Sequence, residues 1–200
     1  MYSFSYRVMK NICKDNLTDK EYLEHMIPHH QVAVDISIML QKISKNVKMQ
    51  DILRKLIWIQ NYEITMMKDM LNTLPDNISD DINNTSYIKT VSDFIEPNKL
   101  GLTNTYCDPH FFDPKGHMKH MSHMKLDDII YIEHMIPHHQ VAVDMSKILI
   151  KNTKNDMMLF LAYRIIKSQQ DEIIMLNNYL ESLKNKNDFV YQSELLLEYI

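Results

Sequence analysis

Twelve consecutive residues, EHMIPHHQVAVD, occur twice in this chain, at Glu24–Asp35 and at Glu133–Asp144, 109 positions apart. The same offset relates Gln60 to Gln169, Glu63 to Glu172, Ile64 to Ile173, Met66 to Met175 and Leu71 to Leu180. No gap is needed anywhere, so the repeated unit is a pair of segments joined by a loop of fixed length. A chain built this way folds as two copies of one supersecondary unit.

Each unit reads as a helical hairpin. Only 2 Gly and 6 Pro occur in 200 residues, too few for a turn-rich sheet protein. Thr18-Asp19-Lys20-Glu21 forms a capping-box pattern, and apolar residues then recur at helical spacing to about Ile43. Polar residues around Lys45–Lys48 make the turn. A second helix follows from about Met49 to Leu74, ending before Pro75. The second copy predicts helices near Asp127–Lys151 and Asp156–Leu183. Four helices of this length imply an all-α, antiparallel four-helix bundle. The chain divides into an N-terminal segment (1–18), a first hairpin (19–74), a linker with a His/Met-rich segment (75–125), a second hairpin (126–184) and a tail (185–200). Within the linker, Tyr87–Ile95 reads as a short helix and the stretch holding Pro97, Pro109 and Pro114 as irregular. The tail, with Leu195, Leu196 and Leu197, reads as a short extra helix.

At about 100° per residue, His25, Met26, His29 and His30 share one helix face with Tyr22, Ala33 and Leu40, while Gln31 and Asp35 point away. Ala33 and Ser37 are small enough to admit a second helix closely. His134, Met135, His138, His139, Ala142 and Ser146 repeat the arrangement. On the second helix of each hairpin, Glu63 and Glu172 fall inside the apolar stripe. A buried carboxylate needs a partner, and the histidines of the facing helix are the expected ones. Pro28 and Pro137 stand inside helices, where proline costs about 3 kcal/mol, directly before each His pair. They read as kinks that turn the imidazoles inward.

All ten histidines fall in three clusters: 25, 29 and 30; 110, 117, 120 and 123; 134, 138 and 139. The linker cluster contains HMKHMSHM, three His-Met pairs: His117-Met118, His120-Met121 and His123-Met124. A methionine stripe alone is ordinary core, and a single His on an apolar face is usually a hydrogen-bonded core residue. Three His in six residues, twice, with a Met one turn before and a buried Glu opposite, point instead to metal ligation. Imidazole with thioether suits Cu(I), and Ag(I) by similar softness. The predicted ligands are therefore these His-Met pairs with His25, Met26, His29, His30, Glu63 and Met66, and with His134, Met135, His138, His139, Glu172 and Met175. Copper as Cu(I) is the expected ion, with iron or zinc as the alternatives.

The motifs MIPHHQVAVDIS with QNYEITM, and MIPHHQVAVDMS with QQDEIIM, resemble the signature of the domain-of-unknown-function family 305. The resemblance covers about 19–74 and 127–183. It implies a ferritin-like four-helix bundle and copper binding linked to copper tolerance outside the cytoplasm. The implied ligand positions are Met26, His29, His30, Glu63 and Met66, with Met135, His138, His139, Glu172 and Met175. His25 and His134 lie outside that signature.

The balance of 22 basic against 26 acidic residues, net -4, lacks the basic footprint of a nucleic-acid binder. Cys13 and Cys107 form no disulfide framework or zinc pattern. No stretch reaches the roughly 18 apolar residues of a membrane span, and the first twenty residues show no secretory signal. The expectation is a soluble protein with no membrane or nucleic-acid partner and an intracellular setting open. Its partner is a metal ion, and assembly into a homo-oligomer stays open. No activated nucleophile or cofactor loop is present, so no enzyme activity is expected. Two other functions compete: a ferritin-like di-metal oxidase or iron store, and a helical interaction module with a His pH switch.

Overall fold

The computed structural model describes residues 17–74, 109–121, 123 and 125–197. Four long helices carry the fold: α1 (Asp19–Ile43), α2 (Val47–Thr73), α4 (Asp128–Asn152) and α5 (Asp156–Leu197). A 3₁₀ turn (Pro109–Phe112) and the eight-residue helix α3 (Pro114–Met121) precede α4.

The helix starts are set by local chemistry. Thr18 Oγ1 accepts from the Glu21 N–H while the Glu21 carboxylate accepts from the Thr18 N–H, completing the capping box. Asn46 Oδ1 accepts from the Lys48 and Met49 amides, and Asn155 Oδ1 does the same for Met157 and Met158. Asn46 and Asn155 stand 109 residues apart, so the repeat extends to the caps. α1 and α4 run unbroken through Pro28 and Pro137.

Three departures from the sequence reading have local causes. The linker stretch expected to be irregular forms α3, because Pro114 takes the first helical position, where its missing N–H costs nothing, and Asp113 Oδ1 caps the Gly116 amide. The tail does not form a separate helix. No Gly or Pro interrupts residues 184–197, and α5 continues to Leu197. The loops are also shorter than expected: α1 and α2 are joined by Ser44–Asn46 alone. The expected helix at Tyr87–Ile95 lies outside the described residues.

The two hairpins dock through α1 and α4, antiparallel. Ser37 Oγ donates to Ala33 O at 2.6 Å, so the Tyr131 hydroxyl, 2.7 Å away, donates to Ser37. Tyr22 donates in the same way to Ser146, at 2.6 Å. These two bonds are images of each other under the 109-residue offset, which defines a pseudo-twofold axis crossing α1 and α4. Burial holds both phenols well above the usual tyrosine range, as neutral donors. Two apolar clusters lie on either side of this axis, one around Leu40, Leu53, Tyr131 and Met135, the other around Met26, Met67, Met145 and Leu161. Each draws on both hairpins, so neither hairpin completes its core alone.

Candidate metal centre

Between the two apolar clusters runs a buried polar layer: His29, His30, Gln60 and Glu63 from the first repeat, and His138, His139, Gln169 and Glu172 from the second. The middles of all four long helices contribute, because the motif occupies the centre of α1 and α4 and the Gln-x-x-Glu run the centre of α2 and α5.

At the axis, the His29 and His138 rings stack with centroids 3.7 Å apart and planes 28° from parallel. The residues are repeat mates, so the symmetry of the duplication brings them together. None of their four ring nitrogens makes a hydrogen bond of good geometry, although the His138 backbone lies near enough to His29 to favour its protonated form slightly. Burial first, and the neighbouring imidazoles second, push both rings well below the usual histidine range. Both are therefore neutral, the form that offers a lone pair to a metal.

Each remaining imidazole meets a carboxylate within its own hairpin. His30 Nε2 lies 3.0 Å from Glu63 Oε2, and His139 Nε2 lies 2.8 Å from Glu172 Oε2, off hydrogen-bond direction. In His30, with Nε2–H turned to Glu63, Nδ1 carries the lone pair, and in both rings Nδ1 has no hydrogen-bond partner. The expectation that the buried glutamates pair with the facing histidines holds in both halves.

The halves differ in what else reaches the carboxylate. Glu63 Oε1 also accepts from Ser168 Oγ at 3.0 Å and faces Arg164 Nε at 3.5 Å, both from α5. The repeat equivalents of Ser168 and Arg164 are Ile59 and Lys55, and neither Glu172 oxygen has a hydrogen bond. A charged hydrogen-bonded group is worth about 1.5–3 kcal/mol. Glu63→Gln is thus expected to cost about 2 kcal/mol, and Glu172→Gln clearly less, in urea unfolding of the metal-free protein. Equal losses would show that the two carboxylates are equivalently held.

The methionines line the layer. Met26 and Met135 are fully buried one turn before His30 and His139. Met66 and Met175 are half-buried one turn beyond the glutamates. His25 lies at the edge, its Nδ1–H donating to Glu21 O at 2.5 Å. From the linker, Phe111 packs edge-on against His138, His134 and His29, and Phe112 against His29 and His25. The two phenylalanines carry no spacing signal that would place them over the histidines.

Among the described residues, the linker His and Met side chains do not gather at one point. On α3, His117 and Met121 face the bundle, Met118 is half-buried and His120 is exposed. His123 lies on the surface with Nδ1 2.7 Å from Lys119 O. Met124 is outside the described residues, as is the side chain of His110. As the side chains stand, no three His, Cys, Asp or Glu among the described residues are already placed to hold one ion. No helix among the described residues is long and apolar enough to cross a membrane.

A family model described as a domain of unknown function (DUF305) matches residues 8–76 and 128–193. The chain belongs to the DUF305 family. Both matched stretches contain a full copy of the histidine motif, and the residues between them, α3 included, are unmatched. Uncharacterized protein L153 of Acanthamoeba polyphaga mimivirus is 44% identical over 62 residues, 31% of this chain and 41% of that protein. Among solved structures, CopM in the Cu(I)-bound form is 25% identical, with 84% of this chain and 98% of that one covered and a TM-score of 0.57. CopM in the Cu(II)-bound form gives 24%, 84%, 99% and 0.59. A DUF305 fragment from Deinococcus radiodurans gives 18%, 82%, 95% and 0.56. These helical structures share the fold of this DUF305 chain.

Proposed function

We propose that this DUF305 protein binds copper, Cu(I) in preference, and sequesters it or hands it on without chemical turnover. The observation that carries the reading is the stacked His29–His138 pair: neutral, buried imidazoles with four nitrogens left unbonded at the centre of a duplicated fold. A buried polar atom without a partner is costly, and an ion that takes those lone pairs removes part of the cost. CopM, whose Cu(I)-, Cu(II)- and Ag-bound forms share this fold, is consistent with the choice of metal.

The donor set favours a soft ion. Met26 and Met135 supply thioethers beside the imidazoles, and thioether ligands suit Cu(I) and Ag(I). Glu63 and Glu172 act on His30 and His139 in this scheme. A carboxylate that takes the far N–H of a ligating imidazole fixes its tautomer and orientation. Because the rings are stacked rather than convergent, loading turns them about their side-chain bonds. Iron is the weaker reading: the Glu-x-x-His pairs expected on two helices of a di-iron bundle are missing from this sequence.

Titration with Cu(I) against a chromophoric competitor tests the proposal. A variant with His29, His30, His138 and His139 all changed to Ala should bind at least about 100-fold more weakly than the parent, a loss of about 2.7 kcal/mol. Equal affinity would remove the reading. Stoichiometric iron in the purified protein, with oxygen consumed on adding Fe(II), would favour an oxidase instead.

A further inference from the structure

Outside the repeated layer, one further pair of imidazoles stands in ligand-like register. His117 on α3 is 2% exposed. Its Nε2 lies 3.1 Å from Nε2 of His134 on α4, with ring centroids 4.8 Å apart and planes tilted by 56°. Two identical ring nitrogens face each other, so one proton joins them, donated by one ring to the lone pair of the other. A metal ion replaces such a proton readily when the spacing suits it. Two facing imidazole nitrogens can hold one soft monovalent ion between them; such an ion needs more room than the shared proton, so the 3.1 Å separation would open on loading. His29 and His138, by contrast, lie face to face, with their lone pairs directed in the ring planes rather than at a common point.

The duplication shows that this pairing is not imposed by the repeat. His25 is the repeat mate of His134, yet His25 bonds to Glu21 O in its own helix and leans on Phe112. His134 meets a second imidazole delivered by α3, a segment between the two family-matched stretches. Phe111 packs edge-on against both His134 (5.3 Å) and His138 (4.9 Å), whose own rings lie 6.2 Å apart, so the pair sits beside the central layer.

We propose that His117 and His134 form a second, outer site that takes one soft monovalent ion, Cu(I) or Ag(I), and ties α3 to α4. The choice of ion rests on the copper reading of the central layer; the site itself rests on the geometry of this pair. An ion here fixes α3 and, through it, Phe111 against the His29–His138 stack, so occupancy of the outer site covers the inner one. Capture at the linker and retention in the bundle are then separate steps.

Ag(I) titration of the full chain, followed by imidazole ¹H–¹⁵N correlation spectra, tests this. Ag(I) should shift Nε2 of both His117 and His134 together. His117→Phe and His134→Phe should each lose one bound equivalent, and the double variant no more than that one. His117→Met, which returns a soft thioether, should restore the equivalent, a rescue that a purely structural His117 would not show. The His29→Ala/His138→Ala variant should keep it, and so should His25→Ala. If His117→Phe binds as many equivalents as the parent, or only one of the two Nε2 signals moves, the outer site is ruled out while the copper reading stands. If the parent binds neither Ag(I) nor Cu(I), both fall together.

Discussion

Replacing both stacked histidines with leucine, His29→Leu with His138→Leu, is expected to raise the stability of the metal-free protein while abolishing the copper binding proposed above. The four ring nitrogens make no hydrogen bond of good geometry and are buried between apolar clusters. Each unsatisfied buried polar group costs on the order of 1–3 kcal/mol, whereas leucine offers the Phe111 and Phe112 rings packed on this pair an apolar surface. At the low end of these ranges, about 1 kcal/mol for each of the four nitrogens against about 1 kcal/mol for repacking each of the two side chains leaves a net gain of about 2 kcal/mol. In a chain of this length that raises the melting temperature by about 4–8 °C. The measurement is thermal and urea unfolding of both proteins after chelator treatment, beside the Cu(I) competition titration. Core histidines that merely pack would give the opposite sign, a loss of stability on substitution. A gain in stability joined to a loss of binding is the signature of a site maintained at the expense of the fold.

How much of this could be read from residues alone follows from the range of each interaction. The gapless offset from Glu24 to Leu180 made the two hairpins legible, and Thr18 with Glu21 marked the first helix start, because caps and periodicity are local. Glu63 was legible as a buried carboxylate because it interrupts an apolar stripe, and its pairing with His30 follows from a three-residue loop that aligns α1 with α2. The His29–His138 stack was not legible. It depends on α1 and α4 docking antiparallel through Tyr22–Ser146 and Tyr131–Ser37, a long-range choice that no local pattern encodes. Ser168 and Arg164 were hidden for a further reason: they reach Glu63 at positions where the two repeats no longer match. The linker misled in a third way. Three evenly spaced His-Met pairs look like one ligand string, but on a helix a spacing of three carries successive pairs around the axis, so among the described residues of this string only His117 and Met121 are fully buried against the bundle.

The same neutral imidazoles predict a steep acid sensitivity, and its sign can be worked out. Burial, then the charges of neighbouring imidazoles, hold His29 and His138 well below the usual histidine range in the folded protein. In the unfolded chain both titrate near 6.5. Below that pH the unfolded state binds protons that the folded state refuses, so stability falls as pH drops. Above about 6.5 neither state is protonated there and the pair adds no slope. Each histidine contributes up to about 1.4 kcal/mol per pH unit, hence about 2.7 for the two. That slope persists until the folded rings themselves take up protons, in their depressed range. Urea midpoints of the metal-free protein should accordingly be level from pH 8 to 7 and fall as the pH drops below about 6. The His29→Leu/His138→Leu variant should lose most of that slope. Copper at 100 times its dissociation constant adds about 2.7 kcal/mol, and it should raise the midpoint by a similar amount at each pH down to the depressed range while leaving the slope unchanged. This is because the folded site has no bound protons to displace until the pH reaches the depressed range. A flat profile in the metal-free parent, or a slope that survives in the leucine variant, would show that these two rings are not the neutral, unbonded pair at the centre of the bundle.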